Sequence, residues 1–497
     1  MVYTGKPSTG CYLCRRRKIK CDETEPACRN CKVYGRDCPG YRPAIVFQNE
    51  NKTAQQLVTR FRSLATRNAK RFQFPELSPS VCVTDSLLED QALCYFFDQY
   101  SIQKKPLCTP GHLEFIPPLY AISRERGDGV SSSCLRWAVD AAAFSSLANE
   151  ANIPTLSRQA WKRYGMALRE LKEALDAPGS PVKDETLAAI VLLTIFEDIN
   201  GERKGLQSSH VAGFELLVRL RSEGQLANNY GRSLFNFAYT QMQIQILVLG
   251  DRPRMDMDSL VGLFDHSHPP HVLMSTVSKI SSFIWNVPSQ LWSSRNTDLQ
   301  TPIGESLPRL IESGKLLDSE LTQWCQAIPI EWLPCMIHSA TGETLITYRS
   351  VSVAILWNFY RSARIVILYT LHRICQSLQS LATDSREQLI TLSLQKLGGV
   401  SPEKSIRDLF GEICKSIPFS LGDIDIQGKP IFPSQRNCQL RAVQGYQLLW
   451  PLWHMTQCEF SSWEQRSQAR AALQRLGSQF GIKLALVLAN SIHNSQG

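Results

Sequence analysis

Six cysteines within the first forty residues follow one spacing twice. Cys11-x2-Cys14-x6-Cys21 is followed by Cys28-x2-Cys31-x6-Cys38, the second triplet displaced from the first by 17 positions. Thiolates bind zinc tetrahedrally, and a structural site fills all four positions with protein ligands. Two zinc ions need eight ligand positions, and six thiolates supply eight only if two of them bridge both metals. The repeat of one half in the other is what two equivalent metal sites require. Dense cysteine in a secreted chain would instead suggest disulfides. Here Met1-Val2-Tyr3-Thr4-Gly5-Lys6 lacks the apolar core of a signal peptide. No apolar stretch is read as reaching the ~18 residues that span a bilayer; the longest candidate, Leu187 to Phe196, is read as a core helix. A soluble protein in a reducing compartment is expected, and the six-cysteine pattern is then a metal site.

Charge is concentrated in the same place. Between Cys14 and Cys21 the chain reads Arg15-Arg16-Arg17-Lys18-Ile19-Lys20. Six thiolates with two Zn2+ ions sum to about −2, so nearby cations help the cluster, but five in six residues exceed that need and face solvent or phosphate. Residues 1–72 hold 16 Lys/Arg against 5 Asp/Glu, whereas residues 73–497 hold 38 against 40. The net charge of +9 therefore belongs to the N-terminal segment, which points to a polyanion partner for that segment alone.

These residues resemble the fungal binuclear zinc cluster transcription factors. The likeness runs across residues 10–41: Gly10 before the first cysteine, the basic run, Cys21-Asp22-Glu23, Pro26 in the middle loop, and Pro39-Gly40-Tyr41 after the last cysteine. It implies two Zn2+ ions held by Cys11, Cys14, Cys21, Cys28, Cys31 and Cys38, with Cys11 and Cys28 bridging, and double-stranded DNA as partner. In this family the lysine three residues before the third cysteine reads the guanines of a CGG triplet in the major groove, and that position is Lys18. Guanine offers two acceptors there, N7 and O6, which suit a cationic donor. Arg17 is expected as a second base-edge reader, and Arg15, Arg16 and Lys20 as phosphate contacts that position without specifying. A short helix is expected in each half, Cys14 to Lys20 and Cys31 to Asp37. Neither could persist alone in water, so zinc binding and folding form one equilibrium. The first carries five cations and the second only Lys32 and Arg36 beside Asp37, so the first should face DNA.

The domain plan follows. Residues 8–42 are the binuclear zinc cluster DNA-binding domain, and residues 43–84 a basic linker. Leu57, Phe61 and Leu64 lie there at coiled-coil spacing, but Asn68 and Arg71 take the next seam positions, so a short dimerisation helix is at most one heptad long. Residues 85–492 form an all-α regulatory domain. Helices are expected at 86–100, where Ser86 and Glu89 suit a capping box, and at 133–150, 156–176, 185–199, 208–222, 231–249, 272–289, 303–327, 343–380, 402–417, 437–458 and 462–491. Leu187 to Leu193 is apolar all round and should be buried. Ser401-Pro402 is a helix start. The run Leu187 to Gly201, then His210-Val211-Ala212-Gly213, Leu216 to Leu220 and Arg252-Pro253 resemble the helical regulatory region of the same fungal family. That implies sensing of a ligand or partner.

The fold expected is thus a small binuclear zinc cluster module of two short helices and loops followed by a large all-α domain. The function expected is a nuclear, zinc-dependent regulator of transcription by RNA polymerase II. Its partners would be DNA, the transcription machinery and, for the helical body, a small-molecule effector, with no membrane. One module reads only about three base pairs, too few to select a genomic site; the single heptad leaves monomer and homodimer both open.

Other patterns carry less. Asp265-His266-Ser267-His268-Pro269-Pro270-His271 places three histidines in seven residues, but the proline pair suggests an exposed loop. Gly5-Lys6-Pro7-Ser8 lacks the upstream glycine and strand of a phosphate loop. No nucleophile elbow, His-Glu-x-x-His or dinucleotide fingerprint is present, and no enzyme is expected. His210 and His372 are read as packed or surface residues on helices, and the ten remaining cysteines as small core hydrophobes.

Overall fold

A computed structural model describes residues 10–24, 26–40, 85–101, 113–125, 130–176, 183–202, 213, 229–249, 268–288, 301–339, 342–380, 401–431 and 441–491. The linker heptad, the 208–222 helix apart from Gly213, His210, His266 and Arg252-Pro253 lie outside them. The chain divides into two units, Met1–Ser80 and Val81–Gly497.

In the first unit the described elements are α1 (Tyr12–Arg16) and α2 (Arg29–Val33). The second unit is a helical body: α3 (Asp85–Tyr100), α4 (Ile116–Glu125), α5 (Val130–Ala151), α6 (Pro154–Asp176), α7 (Asp184–Asn200), α8 (Asn229–Leu249), α9 (Pro269–Asn286) and α10 (Thr301–Ala327) precede a hairpin, β1 (Cys335–His338) and β2 (Thr344–Thr347). Then come α11 (Val351–Ser380), α12 (Pro402–Ser420), α13 (Ala442–Tyr446), α14 (Leu449–Gln457), α15 (Trp463–Gln479) and α16 (Lys483–Asn490).

Two helices organise the body. α5 lies against α3, α6 and α7, and its Ala138, Ala141, Ala142 and Ala143 are wholly buried, small residues that let neighbouring helices approach closely. α7 has no polar stripe through Leu187 to Leu193, and all seven residues are buried; a helix apolar all round can only be covered all round. It ends at Gly201, whose φ of 72° and whose approach to Lys483 of α16, 3.1 Å for a would-be Cβ, both favour glycine. On the other side α11 lies against α9, α10, α12 and α14. Contrary to the sequence reading, Val351–Ser377 is long and apolar enough to cross a bilayer, but 89% of its most apolar window is buried, as in a core helix.

Buried and half-buried polar groups tie the elements together. Asn149 Nδ2 donates to the carbonyls of Ile199 (2.8 Å) and Gly481 (2.9 Å), joining α5 to the ends of α7 and α15. Arg361 of α11 is 1% exposed; it donates to Glu412 of α12 (2.8 Å), to the Tyr348 hydroxyl (2.6 Å) and to Asn358 (3.1 Å). Such satisfaction is what makes a buried charge tolerable.

Several local expectations change. The helix expected from 343 begins only at Val351, because Thr344 to Thr347 pairs antiparallel with Cys335 to His338. Gly342 (φ 81°) donates to the Ser339 carbonyl and turns the hairpin. Four-residue strands are too short to show clear alternation. The segment 437–458 is two helices where described, α13 and α14, and 462–491 is broken at Gly481 (φ 68°). Glu89 pairs with Arg163 of α6 (2.5 Å) and so ties α3 to α6. Pro269-Pro270 starts α9 with His268 as N-cap, and His271 is buried rather than in an exposed loop; prolines suit the first helical positions. His372 is packed, its Nδ1 2.6 Å from Glu403 and its ring edge-on to Phe460. Ser401 caps α12 by accepting from the Lys404 N–H, as its sequence suggests. Of the scattered cysteines that are described, Cys134, Cys375 and Cys458 are buried, but Cys94 and Cys335 are exposed.

Candidate metal centre and nucleic-acid interface

Each cysteine triplet starts a helix with its own first thiol. Cys11 is the N-cap of α1 and its Sγ accepts from the Cys14 N–H (3.4 Å); Cys28 is the N-cap of α2 and accepts from Cys31 N–H (3.3 Å). A thiolate at that position does what an N-cap oxygen does and lies where the helix dipole favours negative charge. The x2 spacing then places the second cysteine one turn on, beside the first. The helices therefore begin before the second cysteine and end sooner than the sequence suggested, at Arg16 and Val33.

Both helices end in the same way. Lys18 N–H donates to Arg15 O and Ile19 N–H to Cys14 O; seventeen residues on, Gly35 N–H donates to Lys32 O and Arg36 N–H to Cys31 O. This is the Schellman closure, which places the residue after the C-cap in the left-handed region. In the second half that residue is Gly35, at φ 70°; in the first it is Lys18, at φ 57°. The pattern recurs at Glu23 (φ 53°) and Gly40 (φ 81°). The basic run is thus a short helix followed by a reversal, which carries the chain back to Cys21.

The six thiols form one cage. Cys11, Cys14, Cys21 and Cys28 make one group and Cys11, Cys28, Cys31 and Cys38 the other, every Sγ in a group within 4.8 Å of the rest. Cys11 and Cys28 belong to both. The separations are 3.7 Å for Cys11–Cys28, 3.6 Å for Cys11–Cys31 and 3.7 Å for Cys14–Cys28. A tetrahedral zinc with ~2.3 Å bonds to sulfur has S–S edges of about 3.8 Å, so the donor set fits two such ions. Without a cation, burial and neighbouring thiols push Cys14 up to about 12, and burial with the Cys28 and Cys11 thiols raises Cys31 further. At Cys21 burial is outweighed by the N–H groups of Cys11 and Glu23, which bring the thiol down to about 7. The N–H groups of Cys28 and Gly40 likewise lower Cys38. A bound divalent ion removes the penalty at Cys14 and Cys31, because a coordinating thiol is deprotonated outright.

Polar ties that the spacing did not reveal lock the halves together. Asp22 Oδ2 accepts from Thr24 Oγ1 (2.7 Å) and from the Arg29 N–H at the start of α2 (3.0 Å); these bonds hold its carboxyl below the usual range. Asn30 Nδ2 donates to Lys20 O (2.8 Å), and the Tyr12 N–H to Gly40 O (3.2 Å).

The cations gather at the end of α1. Arg16, Arg17, Lys18 and Lys20 are exposed and Arg15 is half-buried. Among the described residues no ion pair involves any of the five. Arg15 lies 5.3 Å from the centre of the Tyr12 ring and Arg17 3.5 Å from that of Tyr34. Nothing in the sequence reading singled out Tyr34.

The described residues thus hold a six-thiol cage with a cation-rich helix end in one unit and a large helical body in the other. Comparison with known proteins agrees. Residues 9–45 match the fungal Zn(2)-Cys(6) binuclear cluster domain, and residues 116–406 match the fungal specific transcription factor domain. The second match alone covers more than half of the chain, and the protein belongs to this family. Its six cysteines are accordingly the ligands of two Zn2+ ions. Over 280 residues it is 23% identical to the aspercryptin biosynthesis cluster-specific transcription regulator atnN of Emericella nidulans, which covers 52% of this chain and 42% of the relative. It is 23% identical over 233 residues to the phomenoic acid biosynthesis cluster-specific transcriptional regulator of Leptosphaeria maculans, 42% of this chain and 41% of the relative. Over 36 residues, 7% of each chain, it is 58% identical to the transcriptional regulatory protein moc3 of Schizosaccharomyces pombe. The matched segments cover less than half the length of each of these relatives. No solved structure matches the chain.

Proposed function

We propose that the protein is a nuclear, sequence-specific DNA-binding regulator of transcription by RNA polymerase II. Cys11 and Cys28, the thiols common to both groups of four, bridge the two zinc ions. Lys18 reads guanine in a CGG-type triplet, Arg17 is the second base-edge reader, and Arg15, Arg16 and Lys20 hold phosphates. The observation that carries this reading is the surface at the end of α1. There Lys18, at a left-handed backbone position, is exposed beside exposed Arg16, Arg17 and Lys20, none of them in an ion pair among the described residues. A cation-rich edge of this kind suits major-groove acceptors flanked by phosphate. The helical body receives a signal, from a small effector or a protein of the transcription machinery. Two relatives matched over more than 200 residues are named as biosynthesis cluster-specific transcription regulators, which supports a pathway-specific set of targets.

The test is equilibrium binding of the zinc-loaded protein to duplexes with and without a CGG triplet. Preference for the triplet, with affinity falling steeply as salt rises, is the expected result; equal binding to both duplexes would refute the reading.

A further inference from the structure

Positions 17 and 34 are equivalent under the 17-residue repeat, and the fold brings them face to face. Each is the C-cap of its helix with nearly the same backbone, φ −82° and ψ −2° at Arg17, φ −77° and ψ −3° at Tyr34. The Arg17 guanidinium carbon lies 3.5 Å from the centre of the Tyr34 ring. That is van der Waals contact between two flat groups, reached only when they stack face on. Tyr12 and Arg15, at 5.3 Å, do not reach it. A stacked guanidinium keeps its N–H donors in its own plane, free of the ring and open to a planar acceptor pair. Tyr34 is half exposed and lies outside the buried cluster of cage residues. The ring thus packs against the guanidinium of the residue just before Lys18.

We propose that Tyr34 is a positioning residue for base reading: the second half of the module, poor in cations, holds Arg17 so that its guanidinium edge meets N7 and O6 of a guanine next to the one read by Lys18. This rests on the DNA-reading function proposed above. The geometry suits it because Arg pairs with guanine through two parallel N–H donors, and that match needs a defined guanidinium plane. Recognition is then shared between the halves, although the charge is not.

The experiment uses the full-length, zinc-loaded protein and the variants Tyr34→Ala, Tyr34→Phe, Arg17→Ala and the Tyr34→Ala/Arg17→Ala double variant. Binding is measured on the preferred duplex and on each single-base change within the triplet, at several salt concentrations, with zinc content as the check on folding. Tyr34→Ala should weaken binding to the preferred duplex by about 2- to 5-fold, as expected for an exposed cation–aromatic contact. The loss should fall on discrimination at one base pair, with the salt slope unchanged. Tyr34→Phe should bind as wild type, and Tyr34→Ala should add nothing once Arg17 is alanine. A Tyr34→Phe loss as large as that of alanine would overturn the proposal, as would a full Tyr34→Ala effect in the Arg17→Ala background. A uniform loss over all duplexes for Arg17→Ala, with the salt slope reduced by about one, would make Arg17 a phosphate contact and overturn it too. If wild type itself shows no triplet preference, the DNA-reading function fails and takes this proposal with it; a preference that survives while the coupling is absent removes the Tyr34 role alone.

Discussion

The two halves of the metal module share one backbone but differ in charge and in the residues at their left-handed positions. Both begin with a thiol at a helix N-cap, both run for five helical residues, and both close with the same pair of reverse hydrogen bonds. At the left-handed positions, however, the second half has Gly35 and Gly40 where the first has Lys18 and Glu23. Glycine takes that conformation without strain, whereas another residue gives up about 1–2 kcal/mol. The first half is thus the less comfortable copy, and the strained position is the one expected to meet the base. Metal binding uses what the halves have in common; the proposed DNA reading uses what separates them.

The largest effect should expose what is common. Cys14→Ser and its equivalent Cys31→Ser should each abolish the folded module, and a strong chelator should do the same to wild type, because metal binding and folding are one equilibrium here. Circular dichroism with zinc analysis would show it: zinc per chain falls from two, while the helical body, which holds no cage cysteine, keeps its signal. A mild effect for one cysteine and complete loss for the other would break the equivalence.

A second, smaller effect should expose the difference. Lys18→Ala should cost about 1–3 kcal/mol at the guanine positions, whereas Arg36→Ala, a cation of the other half, should change triplet preference by less than about 2-fold, as a phosphate or solvent contact would. Competition binding with single-base variants of the duplex separates the two outcomes. The smallest effect concerns strain. Lys18→Gly should stabilise the zinc-loaded module by about 1 kcal/mol and still lose base reading as alanine does. Gly35→Ala should destabilise it by about 1 kcal/mol, and by backbone strain alone, since a Cβ there meets nothing within 4 Å. Denaturant titration at fixed free zinc measures both.

What could be read from the chain depended on how local its cause was. The cage was legible because ligand chemistry dictates both residue type and spacing, and α7 because seven consecutive apolar residues can only be buried. The Ser401 cap likewise depends on two adjacent residues. The 335–347 hairpin was missed: each strand has four residues, and β2 is held partly by Thr347 donating to Ile426 O (3.0 Å), far along the chain. The left-handed Lys18 was hidden because a lysine does not advertise that backbone; only alignment of the halves by their 17-residue repeat, setting Lys18 against Gly35, would have signalled it. Tyr34 was missed for a related reason, because it stands out only through a contact between halves that no single-segment pattern encodes. The α9 start was misjudged because a proline pair serves an exposed loop and a helix N-terminus equally well.

The central claim, that two equivalent metal half-sites support base reading by the cations of the first half, is tested most directly by selecting bound sequences from a random duplex pool with the zinc-loaded protein as wild type, Lys18→Ala and Arg36→Ala. Wild type and Arg36→Ala should enrich the same guanine-containing triplet, and Lys18→Ala should enrich none. Enrichment of that triplet by Lys18→Ala, or its loss in Arg36→Ala, would contradict the account.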